Sequence, residues 1–190
     1  MEFPPKDVQL LVAEISDILI SRNQTVSVSE GACGGLLSAY LISLPGASKF
    51  FDGGRLMYSL KSRLKSSGWN LEQIKSYTGP SESVALKMAR NMRIEFNSTY
   101  VLSETGYAGP SANVNGLDNV SISDEEAKVG MVYLGISGPN GNYSCEMSTD
   151  SSERSNNMQL FAKFSLQFFL KTLKQEIQNE SENANVKNNV

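Results

Sequence analysis

A short β-branched run followed by glycines constrains the fold of this chain most strongly. Residues 25–28 (TVSV) have the composition of a buried strand, and residues 31–35 (GACGG) form a glycine-rich turn. An apolar run with helical spacing begins at Leu36. A strand, a turn and a helix in this order place backbone N–H groups at a helix N-terminus, where they can hold an anion or position a reacting side chain. The alternative is that the glycines only let a helix cross close to a sheet.

The length and charge of the chain limit the classes of protein it can belong to. Its 190 residues are enough for one domain with a real core, and the hydrophobic fraction of 40% is typical of a globular protein. The formal net charge of -3 gives no overall nucleic-acid signature, so no nucleic-acid partner is expected. The local basic run 61–65 is either a phosphate contact or a solvated helix face.

The histidine and cysteine content excludes several kinds of catalytic site. Histidine is absent, which removes the commonest general base and the commonest metal ligand, and with them Ser-His-Asp and Cys-His catalysis within one chain. The cysteines are Cys33 and Cys145, and neither lies in a CxxC motif. The sequence does not decide whether these two cysteines form a disulfide. We expect no metal and no cofactor, and any hydrolysis would need lysine, tyrosine or a carboxylate for proton transfer.

The N-terminal residues do not have the pattern of a signal peptide. Residues 1–7 (MEFPPKD) lack the basic and apolar regions of a signal peptide, and no apolar run approaches the length of a membrane span. We therefore expect no membrane partner and a location in the cytoplasm or the nucleus. The polar residues 179–190 are predicted to be a disordered tail, so the domain is predicted over residues 1–178.

Helical and β-strand patterns alternate along the chain. Amphipathic periodicity predicts helices, and β-branched or aromatic runs predict strands. The predicted helices cover residues 7–22, 34–43, 60–66, 71–77, 82–95 and 153–177. The predicted strands cover residues 25–29, 53–59, 98–103, 129–136 and 143–147, and a polar surface loop is predicted over 111–128. This order predicts a single α/β domain with three α/β/α layers around a mixed sheet.

A second glycine turn follows the third predicted strand. Residues 105–110 (TGYAGP) occupy the same place after that strand as residues 31–35 occupy after the first. Open α/β sheets place their sites at strand ends. We therefore expect the two turns to converge on one site.

Several blocks together resemble the C-terminal domain of the competence/damage-inducible CinA proteins and its free-standing form, the bacterial nicotinamide-nucleotide amidase. The resemblance covers residues 8–173 and follows the family order of motifs AESCTGGLL, VPGAS, FDRG, TYSN, TGIAGP and KPVGTV. The matching segments are 29–37 (SEGACGGLL), 44–48 (LPGAS), 51–54 (FDGG), 57–59 (MYS), 105–110 (TGYAGP) and 128–132 (KVGMV).

The resemblance implies hydrolysis of the carboxamide of nicotinamide mononucleotide to nicotinate mononucleotide and ammonia, without a metal. In that family a serine assisted by lysine and tyrosine is taken as the nucleophile. Here the family serine falls on Gly31, and the lysine falls on Arg63 with Lys61 nearby. Arginine cannot act as a base, because its pKa is too high. The basic pair before the last helix is also poorly matched, with Arg154 followed by Ser155.

The first hypothesis is therefore a catalytically impaired relative of the amidase that keeps a nucleotide-sized pocket. Its ligand would be a pyridine nucleotide or another phosphate-bearing small molecule. The predicted catalytic residues are Tyr58, Lys61, Thr105 and Cys33. The predicted substrate-binding residues are Glu30, Gly31, Gly34, Gly35, Arg63, Gly106 and Gly109.

Two further hypotheses stay open. One is an active amidohydrolase in which Cys33 is the nucleophile, Lys61 the base and Tyr58 or Thr105 an assisting group; Cys33 and Lys61 can equally be a packing residue and a solvated surface lysine. Ser29 is the nearest hydroxyl to position 31, and its use would require a bulge in the strand. The other is an interaction module that binds a partner through the Phe-rich last helix and the 111–128 loop. Because members of the family associate, we also expect a homo-oligomer.

Overall fold

The structure is a computed structural model that describes residues 2–66, 68–112 and 128–188. In chain order the elements are α1 (Lys6–Ser21), β1 (Val26–Glu30), α2 (Leu36–Ile42), β2 (Phe51–Leu56), α3 (Leu60–Ser66), α4 (Leu71–Lys75), α5 (Glu82–Phe96), β3 (Tyr100–Gly106), β4 (Met131–Gly138), β5 (Gly141–Ser148) and α6 (Arg154–Asn188). A short 3-10 helix, Ala47–Lys49, precedes β2.

The five strands form one mixed sheet in the order β2-β1-β3-β4-β5. β1 is parallel to both β2 and β3. β4 is antiparallel to β3 and to β5, the strands on either side of it. Helices α1, α2 and α6 pack with one face of the sheet in the main hydrophobic core. α5 covers the other face, where Ala89 and Met92 pack against Val101. The predicted three-layer α/β/α fold with a mixed sheet is confirmed.

The pleat of β3 explains how one strand serves both layers. Tyr100 and Leu102 belong to the core beneath α6, whereas Val101 belongs to the cluster beneath α5. Side chains of a strand alternate between its faces, so both faces of this central strand are apolar. Strands of this kind give near-continuous apolar runs in sequence. β3 was predicted from its β-branched and aromatic residues.

Several predicted boundaries differ from the structure, most clearly those of β2 and α6. β2 begins at Phe51 and ends at Leu56, so Tyr58 lies beyond the strand that was predicted to contain it. α6 continues to Asn188, so its predicted end at residue 177 is too early. Beyond that point Arg22 Nη2 and Glu180 Oε2 form an ion pair 2.8 Å long, which ties this part of α6 to the end of α1. The domain boundary at residue 178 stays a prediction.

The Phe-rich side of α6 faces the interior of the domain. Phe161 and Phe169 are fully buried, and Phe164 and Phe168 are partly buried against the same core. Packing within the domain therefore accounts for the phenylalanine stripe without a partner. Residues 113–127 of the predicted 111–128 loop lie outside the described residues.

Candidate functional site

The two glycine turns meet at one edge of the sheet, as the sequence predicts. β1 and β3 are parallel neighbours, and Glu30 pairs with Glu104 in their register. Each turn begins directly after this pair, and the Gly31 N–H donates to the Glu104 carbonyl over 3.1 Å. Parallel register therefore brings segments more than seventy residues apart into contact.

The first glycine turn already holds an acidic side chain, that of Glu104. The N–H groups of Gly31, Ala32 and Cys33 donate to its carboxylate over 2.7, 3.1 and 2.8 Å. Three successive N–H groups around one carboxylate form the kind of concavity that binds phosphate in other proteins. Here the protein's own carboxylate occupies it.

A second carboxylate occupies the start of α2. Glu30 accepts from the N–H groups of Gly35, Leu37 and Ser38 over 3.0, 3.1 and 2.9 Å. Gly34 and Gly35 have φ values of 69° and 96°, a left-handed conformation that glycine adopts without strain. Glu30, Gly34 and Gly35, which were predicted to bind substrate, thus build and cap the strand-to-helix connection.

Burial has the largest effect on the pKa of the Glu104 carboxyl group. Desolvation raises its pKa from the ordinary 4.5 to about 7, the nearby Glu30 charge adds to the increase, and the N–H bonds from the turn oppose it. The side chain is completely buried. Glu104 was not among the predicted site residues. Its place near the end of a buried strand, directly before the second glycine turn, is the sequence signal that could have identified it.

Within the described residues, Glu30, Cys33 and Glu104 have metal-ligand types whose donor atoms all lie within 4.8 Å of one another. Every oxygen of the two carboxylates already accepts a backbone N–H. The cluster therefore works as the interior of a turn.

A cavity of about 480 Å³ opens beside this turn, within the size range of small-molecule sites. Both glycine turns, the segment after β2 and the start of α6 contribute to its wall. The described lining residues are Gly31, Ala32, Tyr58, Ser59, Leu60, Arg63, Tyr77, Pro80, Thr105, Gly106, Tyr107, Ala108, Gly109, Ser111 and Arg154. Among these residues the charged ones are Arg63 and Arg154, and both are positive.

Arg63 lies in the wall of the cavity with only 5% of its surface exposed. Its Nε donates to the Met57 carbonyl over 3.2 Å, its Nη1 to the Tyr77 hydroxyl over 3.0 Å and its Nη2 to Thr105 Oγ1 over 3.1 Å. The guanidinium also lies over the Tyr77 ring, 5.3 Å from its centroid. These contacts hold a permanent positive charge in a fixed orientation.

Gly31 faces this guanidinium. A Cβ atom at position 31 would lie 3.3 Å from Arg63 Nη2 and 3.6 Å from the Thr105 Cα. A side chain at position 31 would therefore project towards Arg63 and Thr105. The glycine leaves the cavity without a nucleophile there. Thr105 Oγ1 accepts from the Arg63 guanidinium, which cannot take its proton, so this contact places a positive charge beside Thr105 and supplies no general base.

Arg154 and Tyr58 lie at the more exposed part of the cavity. Arg154 donates through Nη1 to the Gly109 carbonyl over 2.6 Å and through Nη2 to the Tyr58 hydroxyl over 3.1 Å. Tyr58 is 65% exposed. The start of α6 is thereby connected to the second glycine turn and to the segment after β2.

The second glycine turn is held by close packing. A Cβ at Gly109, which has a φ of 94°, would lie 2.7 Å from Val129 Cγ1, so a larger residue does not fit there. From α6, Asn157 Nδ2 donates to the Ala108 carbonyl over 3.0 Å. Gly106 and Gly109 were predicted to bind substrate, and both line the cavity through their backbone.

The structure brings six of the eleven predicted site residues together and leaves the other five outside the described lining of the cavity. Tyr58, Arg63, Thr105, Gly31, Gly106 and Gly109 lie together in the cavity wall. Cys33 is fully buried and absent from the described lining, and burial raises its pKa well above the ordinary value, which opposes formation of a thiolate. Lys61 is exposed on α3 and is also absent from that lining.

Tyr77 is a lining residue that the sequence did not single out. It is buried, and desolvation raises the pKa of its hydroxyl although the Arg63 charge opposes this shift. Its signal in sequence is weak, because one tyrosine at the end of a short predicted helix is usually a packing residue. Arg154 was noted only as a mismatch to the family pattern.

Comparison with known proteins decides the family. The model of the CinA C-terminal domain matches residues 8–173. The chain belongs to the CinA C-terminal domain family. The range matched is the range over which the sequence resembles that family, so the prediction is confirmed.

Curated CinA relatives are longer than this chain. It is 33% identical over 144 residues to a CinA-like protein of Cyanothece sp., which covers 75% of this chain and 32% of the relative. It is 38% identical over 125 residues to a CinA-like protein of Prochlorococcus marinus, covering 65% of this chain and 26% of that protein. The chain thus spans about a third or less of these relatives.

Solved structures of CinA-superfamily proteins have the same fold. The competence/damage inducible protein CihA from Agrobacterium tumefaciens superposes with a TM-score of 0.79 at 24% identity, covering 92% of this chain and 99% of that one. A competence or damage-inducible protein from Enterobacter asburiae gives a TM-score of 0.77 at 21% identity, with coverages of 87% and 98%.

Over the described ranges, no helix is long and apolar enough to cross a bilayer.

Proposed function

We propose that this CinA C-terminal domain binds a phosphate-bearing small molecule of the pyridine-nucleotide type and does not hydrolyse it at an appreciable rate. The observation that carries the proposal is Gly31. Its missing side chain would project into the cavity towards Arg63 and Thr105, where the family resemblance places a nucleophilic serine. Loss of a covalent nucleophile lowers the rate by several orders of magnitude.

Two features support a retained binding site. The cavity volume of about 480 Å³ is sufficient for a mononucleotide-sized molecule. The two charged residues among its described lining, Arg63 and Arg154, are both positive and so favour an anionic ligand.

We further propose that the protein acts in the cytoplasm or the nucleus as a homo-oligomer.

The test combines ammonia release from nicotinamide mononucleotide with thermal unfolding in its presence. We expect no ammonia from the wild type and an upward shift of Tm with the nucleotide, because a ligand that binds only the folded state stabilises it by about 2.7 kcal/mol at a hundredfold excess over Kd. Gly31→Ser combined with Arg63→Lys, which reintroduces both family residues, is expected to release more ammonia than the wild type.

Cys33→Ala separates this proposal from the rewired amidase, with Cys145→Ala as the matched control. Turnover in the wild type that is lost in Cys33→Ala and kept in Cys145→Ala would establish Cys33 as the nucleophile and overturn the proposal. Its complete burial and raised pKa argue against this result. Absence of any Tm shift with the nucleotide would instead favour the interaction module.

A further inference from the structure

The group that replaces the nucleophile in this cavity is a buried guanidinium. Arg63 Nη2 lies 3.3 Å from the position that a Cβ of residue 31 would take. A side chain at that position would therefore compete with the guanidinium for space. Because Gly31 has no side chain, Arg63 can present its charge in the space beside position 31.

The surroundings fix the plane of this guanidinium. It donates from Nε, Nη1 and Nη2 to three separate acceptors, on Met57, Tyr77 and Thr105. Its Cζ lies 5.8 Å from the centroid of the Trp69 ring. A planar cation that is held on its edges and beside aromatic rings is pre-organised for a planar anion.

Two carboxyl groups of the described residues lie in the first glycine turn, outside the cavity lining. Glu104 and Glu30 accept backbone N–H groups of residues 31–38, and neither is among the described residues that line the cavity. Arg154 supplies a second positive charge towards the more exposed part of the cavity, beside Tyr58. Two cations on one small cavity suit a ligand with two anionic groups.

We propose that this cavity selects a carboxylate-bearing ligand over the corresponding carboxamide, with Arg63, in the space left by Gly31, pairing with the carboxylate. The inference rests on the proposed function, because it assigns the ligand class of the same site. A carboxylate accepts two parallel N–H bonds from a guanidinium, whereas a carboxamide turns its own N–H donors towards it. A carboxylate is also a stronger acceptor than a neutral hydroxyl, so it can displace the Thr105 or Tyr77 hydroxyl from Arg63.

The experiment is titration calorimetry of the full chain at pH 7 with nicotinate mononucleotide and nicotinamide mononucleotide, which differ only in this group. The acid is expected to bind tighter by about tenfold or more, since a hydrogen bond to a charged group contributes more than a neutral one. Arg63→Gln should abolish this preference. Arg154→Gln, the matched control, should weaken both nucleotides by the same factor and keep the preference.

Arg63→Lys keeps the charge and guards against a folding defect in Arg63→Gln. It is expected to retain part of the preference for the acid but to lose the contribution of two-point pairing. Equal binding of acid and amide by the wild type, tighter binding of the amide, or a preference that survives in Arg63→Gln would each overturn the inference while leaving the binding site itself intact.

A second ligand pair separates this inference from the proposed function. Free nicotinate and nicotinamide carry the same two groups without the nucleotide. If neither mononucleotide binds but free nicotinate binds more tightly than nicotinamide, the nucleotide assignment fails and the carboxylate inference stands. If none of the four molecules binds, both proposals are overturned.

Discussion

The two sides of the first glycine turn carry side chains of opposite charge type: carboxyl groups on one side and guanidinium groups on the other. On one side Glu30 and Glu104 place buried carboxylates against the backbone N–H groups of residues 31–38. On the other side the cavity presents the side chains of Arg63 and Arg154. Backbone N–H groups at a strand-to-helix turn suggest a ligand site, yet here the side chains of Glu30 and Glu104 accept them, and the positive charge in the cavity wall comes from arginine side chains.

The difference follows from what each anion source offers. A buried N–H group needs a permanent acceptor, and a carboxylate on the neighbouring strand supplies one in every molecule. A diffusible ligand satisfies such groups only while it is bound. The N–H groups of this turn are hydrogen-bonded to side chains of the same protein, so the turn keeps its shape when the cavity is empty. The cavity beside it is therefore pre-organised for a ligand.

The largest expected effect is the loss of the carboxylate that holds the turn. Glu104→Ala leaves the N–H groups of Gly31, Ala32 and Cys33 buried without their acceptor. We expect the free energy of unfolding in urea to fall by about 3 kcal/mol or more. Glu180→Ala, which removes an exposed carboxylate paired with Arg22, is the control and should cost less than about 1 kcal/mol. Equal losses in the two variants would mean that the turn does not depend on Glu104.

The pH dependence of stability tests how far burial outweighs the N–H bonds at Glu104. The folded pKa of about 7 lies above the ordinary 4.5, so between these pH values the folded state keeps a proton that the unfolded state releases. Stability should therefore fall as pH rises from about 4.5 to about 7, by up to about 1.4 kcal/mol for each unit of pKa difference.

Denaturant midpoints of the wild type and Glu104→Gln across this pH range measure the effect. The difference between the two proteins should change with pH in the stated direction, because glutamine does not titrate. A wild type that gains stability over the same range relative to Glu104→Gln would show that the N–H bonds from the turn outweigh desolvation.

A smaller effect is expected where the two sides of the turn touch. In Gly31→Ala the new Cβ lies 3.2 Å from the Glu104 carbonyl oxygen and 3.3 Å from Arg63 Nη2, so neighbours must move by a few tenths of an ångström. We expect a loss of about 1 kcal/mol in thermal or urea unfolding. The loss should be smaller in an Arg63→Lys background, since lysine removes the branched head group. An equal loss in both backgrounds would place the strain at the Glu104 backbone alone.

The smallest effect is expected at the exposed part of the cavity. Tyr58→Phe removes the hydroxyl that accepts from Arg154, and both side chains are at least partly solvated. Its effect on the free energy of unfolding should stay within about 0.5 kcal/mol. Tyr77→Phe removes the buried hydroxyl beside Arg63 and should cost about 1 kcal/mol. A larger loss of stability in Tyr58→Phe than in Tyr77→Phe, measured by urea unfolding, would contradict the distinction between the buried wall and the exposed part of the cavity.

Local patterns in the sequence determined the elements, the layer order and the family. A β-branched run, a glycine cluster and an apolar period of 3.6 act over a few residues, so β1, the first turn and α2 were predicted close to their observed places. The absence of histidine and of a side chain at position 31 is also a property of the sequence alone. Boundaries were less accurate where distant contacts decide them, as at the end of α6 beside Arg22.

The tertiary structure decided which groups form the site. Lys61 and Arg63 lie two residues apart on one short helix, and only the packing of that helix against Tyr77 and Thr105 turns Arg63 into the cavity. The parallel register of β1 and β3 likewise brings Glu104 to the first turn. Both arrangements depend on contacts between residues far apart in the chain, and short-range periodicity carries no information about such contacts.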